Sequence, residues 1–181
     1  MVWIFHALRG YSALLQGYAV GSHSDLDLGY ILELRNYVHY HILSIPAGMS
    51  VGMESVSHIY EPFRLALTIY SLLVLFPIPL ATSPYFNLTQ LLHRELEVVP
   101  KEEWSSMPTL LLWVLTLGGI AALDTPHRPW FVTRLHVQLE ELGIISWKGF
   151  VHTMGTWIWL GSPCGTEGLI LWKEAQEYGS H

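Results

Sequence analysis

Residues 108–123 read PTLLLWVLTLGGIAAL, a run without one charged side chain. Pro108 stands where a helix tolerates proline, because the amide hydrogen it lacks would have had no partner in the first turn. The run therefore predicts a helix from Pro108 to about Leu123. Its apolar residues fall on nearly every side rather than along one stripe, which is the pattern of a helix enclosed by the rest of the protein. The neighbouring segments should be the helices that enclose it.

Upstream, a helix is predicted from Ser55 to Phe76, with Ile59, Phe63, Ala66, Ile69, Leu73 and Phe76 recurring at helical spacing. Pro77, Pro79, Ser83 and Pro84 then read as a connector, and Asn87 as the N-cap of a helix carrying Leu88, Leu91, Leu92 and Leu96 and ending before Pro100. Nearer the start, Val2 to Val20 carries a ragged stripe of Trp3, Leu8, Tyr11 and Leu15. Gly21-Ser22-His23 breaks it, and Ser24 with Asp27 resembles a capping box before a helix whose buried face is Ile31, Leu34, Val38 and Ile42. Pro46, Gly48 and Gly52 mark the following loop.

Downstream, Asp124-Thr125-Pro126 turns the chain, and Pro129 opens a helix of Phe131, Leu135, Leu139 and Leu142 that Gly143 stops. Ser146 caps the next, which directs Trp147, Phe150, Val151, Met154 and Trp157 or Ile158 inward as far as Gly161-Ser162-Pro163. A final helix from Thr166 to Tyr178 should bury Leu169, Trp172 and Ala175 and leave Lys173, Glu174 and Glu177 outside. With strict alternation scarce, the expected fold is all-α, an irregular bundle of about seven or eight helices.

Of 181 residues, 51% are hydrophobic and 13% charged, enough apolar material for one sizeable core. The net charge of -6 is scattered, and Arg9, Arg35, Arg64, Arg94, Lys101, Arg128, Arg134, Lys148 and Lys173 are spread almost evenly. Affinity for nucleic acid rests on clustered cations that neutralise phosphates, so direct binding to a duplex is not expected. The single cysteine, Cys164, allows no internal disulfide and points to a reducing, intracellular compartment. The first twenty residues lack a basic start and make a poor secretory signal.

The uncharged stretches Leu65–Leu80 and Thr109–Leu123 raise a second reading, a small helical membrane protein. Both fall short of the roughly 20 residues a bilayer core requires, so buried helices are the better account. A third reading makes Cys164 a reactive thiolate, with His136 or His152 as base, or gathers the histidines around a metal. His39 and His41, two apart on a helix, project about 200° from each other and cannot share one ion. No spacing selects a histidine for Cys164, which reads as a small packing residue. Neither cofactor nor metal is expected. The Gly118-Gly119 pair lacks the strand and the Lys-Ser/Thr of a phosphate loop and reads as a site of close helix approach. The rings for such approach are at hand in Trp113, Trp130, Trp147, Trp157, Trp159 and Trp172, which form a dense core or line a ligand pocket.

Four segments in order carry a resemblance: IYEPFRLALTIYSLLVLFPIP (Ile59–Pro79), LLWVLTLGGIAAL (Leu111–Leu123), RPWF (Arg128–Phe131), and SWKGF followed by WLGSPCGTEGLILWKEA (Ser146–Ala175). Together they resemble the C-terminal part of the fungal-specific transcription factor domain, the helical regulatory region of fungal zinc-cluster transcription factors. The positions that match its motifs are Tyr60, Arg64, Leu65, Ala66, Trp113, Gly118, Gly119, Ala121, Trp130, Trp147, Trp159, Cys164 and Trp172. The resemblance spans Ser55 to Tyr178; residues 1–52 form a helical segment without a recognised match, and residues 53–181 the matching part.

That likeness implies a nuclear, transcription-regulatory domain working through protein contacts, with a small-molecule effector possible and no catalytic residue. Relatives of this kind carry an N-terminal DNA-binding module in which six cysteines hold zinc. Those cysteines are absent here, so the chain reads as a truncated, regulatory-only polypeptide, either a partial gene model or a shortened paralogue.

Overall fold

The computed structural model describes residues 2–19, 28–47 and 58–179. Among these residues the protein is all-α, with helices α1 (Val2–Ala19), α2 (Leu28–Leu43), α3 (Tyr60–Tyr70), α4 (Ser83–Val98), α5 (Lys101–Ser105), α6 (Pro108–Ala121), α7 (Arg128–Glu141), α8 (Trp147–Gly155) and α9 (Gly161–Tyr178). Helix α6 is the axis of the bundle. Every residue from Leu110 to Ala121 is buried, and α3, α4, α5, α7, α8 and α9 all pack on it. Thr116, buried in the middle of the helix, donates its hydroxyl to the Leu112 carbonyl 2.7 Å away and so sets no unsatisfied group against the neighbouring helices.

The local stop and start signals act as the residue chemistry dictates around this axis. Pro108 occupies the first turn of α6, and beyond its end Asp124 turns the chain at φ 59°, a left-handed conformation aspartate tolerates better than most residues. Gly143, at φ 64°, ends α7. Ser146 caps α8, its hydroxyl oxygen accepting from the Gly149 amide at 3.2 Å.

Other boundaries differ from expectation for identifiable reasons. Helix α4 begins at Ser83, not at Asn87; Pro84 lies in its first turn, so the residues read as a connector are already helical. Thr82 precedes it with its hydroxyl turned back to the Pro79 carbonyl, and Asn87 is an exposed residue inside the helix. The inward row of α4 is Tyr85, Thr89, Leu92 and Leu96, which leaves Leu91 exposed. Helix α9 likewise starts at Gly161, and Gly161-Ser162-Pro163 form its first turn rather than a break. Its inward row is Cys164, Gly168, Leu171 and Ala175; Leu169 and Trp172 are only half-buried. The short helix α5, which places Trp104 in the core, has no counterpart among the expected elements.

The helix expected over Ser55–Phe76 is described from Tyr60. After Tyr70 it widens into a π-helical stretch, Ser71–Leu75, where the Phe76 amide donates to Ser71 five residues back, and it stops ahead of the Pro77 and Pro79 that were predicted to end it. The wider turn sets Ser71 beneath α2, where its hydroxyl meets His39 Nδ1 at 2.5 Å. Helices α1 and α2 pack side by side, and Ile4, Leu8, Tyr11, Ile31, Val38 and Ile42 join the same core as the later helices. Trp3, placed on the inner stripe of α1 by its spacing, is half exposed, and Ile4 takes the inner position. Ser12 is bonded to Tyr70 at 2.9 Å inside this seam. The capping box read at Ser24 and Asp27 falls outside the described residues.

Among the described residues no helix is long and apolar enough to cross a membrane. The Thr109–Leu123 stretch is the protein-covered α6, and Leu65–Leu80 is divided by the π turn and the prolines.

The glycine pair on α6 has the use its sequence suggested. A methyl at Gly118 would overlap the Phe131 ring of α7 and lie 2.8 Å from Leu92 Cδ2 of α4; one at Gly119 would lie 2.5 Å from Leu171 Cδ2 of α9. Gly118→Ala is therefore expected to destabilise the fold by about 1–3 kcal/mol in urea unfolding. In a Phe131→Leu background the same change should cost less. Equal penalties in both backgrounds would show that the ring is not the obstacle.

Candidate functional site

The residues singled out by their motif positions fall into three groups, and none of them lines a cleft with convergent reactive groups. The first is the surround of α6. Trp113 is fully buried, its indole N–H donating to the Ile158 carbonyl at 2.8 Å, so the extended segment after α8 is held across the central helix. Trp157, next to it, donates to Thr109 Oγ1 at 3.2 Å and meets Phe5 of α1 edge-on. Gly118 and Gly119 receive Phe131 and Leu171 from two adjacent directions.

The second group joins α8 to α9. Trp147 stacks on Phe150 with ring centroids 5.1 Å apart, Trp159 meets Phe150 edge-on at 6.0 Å, and Trp172 approaches Trp147 at 6.1 Å. Aromatic pairs in such offset and edge geometries contribute about 0.5–1.5 kcal/mol beyond the area they bury. Trp159 lies on Gly168, where a methyl would come within 2.6 Å of the ring, a third close approach that the sequence reading did not identify. Its one signal was the four-residue step from Cys164.

The third group stands apart from these. Tyr60 donates to the Pro46 carbonyl at 2.9 Å and fastens the start of α3 to the segment after α2. Arg64 makes a forked pair with Glu61 one turn earlier on the same helix. Burial and the adjacent Glu61 push the Tyr60 hydroxyl pKa up, and its bond to Glu61 holds the Arg64 guanidinium in its charged form.

Cys164 is buried in the first turn of α9 with its amide bonded to the Leu160 carbonyl. Burial pushes its thiol up to about 12, the opposite of what a nucleophilic thiolate needs. His39 and His41 lie on different sides of α2, the first on Ser71 and Phe76, the second among Trp3, Tyr37 and Tyr40. Among the described residues no group of three or more histidine, cysteine, aspartate or glutamate side chains is placed to hold a metal ion. A cavity of about 150 Å³ opens between α5, α6 and α7, lined by Trp104, Leu111, Leu115, Arg134 and Gln138. It is smaller than the roughly 300–1,000 Å³ typical of small-molecule sites.

Two arrangements escaped the sequence reading because their members are far apart in the chain. Glu174, expected to face outward, turns onto Arg128, which donates to both of its oxygens at 2.9 Å and also to the Gly119 carbonyl. One guanidinium thereby ties α6, α7 and α9. His93 of α4 and His127 before α7 meet Nδ1 to Nδ1 at 2.9 Å, with Trp130 packed on His93 at 4.2 Å. His93 Nε2 lies 3.4 Å from Glu97 Oε1, close enough for attraction but without an aligned hydrogen bond.

In that contact one ring donates and the other accepts, so at most one is protonated. Burial, and then the charge of His93, lower the pKa of His127. A histidine lowered in the fold contributes stability that is complete above its ordinary value of 6.5 and is lost as pH falls through the folded value. The urea midpoint should fall between about pH 7.5 and about pH 5, and His127→Asn should flatten that fall. An unchanged slope in the variant would remove the pair as its source. For Cys164, thiol reagents at mildly alkaline pH should label the native protein far more slowly than the denatured chain. Equal rates would contradict the burial. Comparison with protein-family models, with curated proteins and with solved structures finds no match for this sequence.

Proposed function

We propose that this chain is a transcription-regulatory helical domain of the fungal zinc-cluster type, one that works in the nucleus by contact with other proteins and carries neither a catalytic centre nor a DNA-binding surface. The observation that carries the reading is the mutual packing of the segments on which the resemblance rests. They contribute α3, α6, the start of α7, and α8 with α9, and three of their motif positions make close contacts: Gly118 receives Phe131, Trp113 donates to the Ile158 carbonyl, and Trp159 lies on Gly168.

The chemistry of the cations favours the same reading. Arg128 and Arg64 are engaged with Glu174 and Glu61, and Arg35 lies over the Phe76 ring at 4.3 Å, so these positive charges form internal contacts rather than a phosphate-binding surface.

The test is a tagged full chain expressed in a fungal host. It is expected to accumulate in nuclei and to co-purify with at least one protein bearing a six-cysteine zinc module. Cytosolic residence together with repeated failure to recover such a protein would overturn the proposal.

A further inference from the structure

His93 and His127 stand 34 residues apart in the chain and on different elements, yet their Nδ1 atoms meet at 2.9 Å. Each ring is held from outside that contact. His93 sits midway along α4 with the Trp130 ring packed on it at 4.2 Å, and its far nitrogen, Nε2, lies 3.4 Å from Glu97 Oε1 one turn on. His127 is placed by the turn before α7, where the Thr125 hydroxyl oxygen accepts its amide hydrogen at 3.3 Å and its own carbonyl accepts from the Phe131 amide. Both rings border an open cavity of about 340 Å³ whose wall is completed by Gln90, Leu91, Arg94 and Glu97.

We propose that this pair binds one divalent transition-metal ion, nickel(II) or copper(II), between the two Nδ1 atoms. Distance selects the class of ion. Imidazole nitrogens stand about 2.0–2.1 Å from a first-row divalent ion, so two of them 2.9 Å apart subtend about 90° at it. Neighbouring ligands of a square-planar or octahedral ion make that angle, whereas a tetrahedral ion such as zinc(II) would hold the two nitrogens about 3.3 Å apart.

The surroundings suit this chemistry. A histidine that binds metal through one nitrogen ordinarily gives its other N–H to a carboxylate, which fixes the tautomer. Glu97 stands in that place beside His93 Nε2, and with the hydrogen drawn to Nε2 the Nδ1 lone pair is left for the ion. That Nε2 is buried and has no aligned hydrogen bond, so a small turn of the Glu97 side chain, itself 57% exposed, completes the contact when the ion is bound. The proton between the two Nδ1 atoms moves through solvent to Nε2 of His127, which leaves both Nδ1 lone pairs for the ion. Arg94, the cation on the cavity wall, is paired with Glu95 at 3.0 Å. Two side chains cannot enclose an ion, so water from the cavity fills its remaining positions, and the bound ion ties α4 to the start of α7.

The experiment is a calorimetric titration of the metal-free full chain with nickel(II). The wild type should take up one equivalent. His93→Gln and His127→Asn should each lower the affinity at least about tenfold, and Glu97→Gln about tenfold at the same stoichiometry, while His152→Asn on the exposed side of α8 should leave it unchanged. Should the variants fail to fold, the wild type alone still decides the matter: substoichiometric nickel(II) should broaden the ring proton signals of His93 and His127 before those of any other of the ten histidines. The proposal is overturned by absence of binding, by affinity unchanged in both His93→Gln and His127→Asn, or by broadening that begins at other histidines. Tighter binding of zinc(II) than of nickel(II) overturns it as well, since the spacing of the two nitrogens would then not be what selects the ion.

Discussion

The fold depends on how closely other chain can approach one buried backbone. Helix α6 is covered on all sides, so its neighbours must come near enough to exclude water without straining the helix. Gly118 and Gly119 are consecutive and therefore point about 100° apart, so the two missing side chains open two adjacent faces. Phe131 enters from α7 and Leu171 from α9. Helices α7 and α9 are consequently drawn together over the same turn of α6, and the Arg128–Glu174 pair closes the space between them. Arg128 also supplies a donor to the Gly119 carbonyl, the backbone group that the absent side chain leaves open to an approaching donor. A small residue, a large ring and a forked ion pair are here one constraint, since changing any of them alters the distance on which the other two rely.

The polar groups inside the bundle do comparable work at its seams. Trp113 to Ile158, Ser12 to Tyr70 and His39 to Ser71 each link elements distant in sequence, the first two fully buried and the third half-buried. The last depends on the π turn, because an unbroken α-helix through Ser71–Leu75 would rotate Ser71 and the residues after it relative to α2. Burial, and then the charge of Arg35, lower the pKa of His39.

What could be read from the sequence was set by chemistry acting over a few residues. Pro108, Gly143 and Ser146 marked helix ends correctly because each acts on its own turn through a missing amide, a positive φ or a capping hydroxyl. The proline-rich stretches before α4 and α9 misled for the same reason. Proline suits the first turn of a helix and also the loop before it, and only tertiary contacts choose between them. The inward row of α9 was misjudged because Leu169, Leu171 and Trp172 are all apolar, whereas the true register is fixed by Gly168 lying under Trp159. Of the motif residues, Trp113 and the glycine pair could be understood as packing positions beforehand, since size alone defines their use. The Arg128–Glu174 and His93–His127 contacts could not, because nothing local links residues that meet only after the bundle closes.

Helices α2 and α6 make the limit of composition plain. Helix α6 is apolar around its whole circumference, so its periodicity leaves the orientation open, whereas the spacing of Ile31, Val38 and Ile42 on α2 marks the face that the core covers. Helix α6 is resolved by being enclosed, with two glycines admitting its neighbours. Helix α2 has exposed tyrosines where α6 has aliphatic side chains and glycines, and a tyrosine can remain half in water because its hydroxyl stays solvated while its ring is available to a partner. The tryptophan-lined packing between α8 and α9 holds that end of the fold in shape.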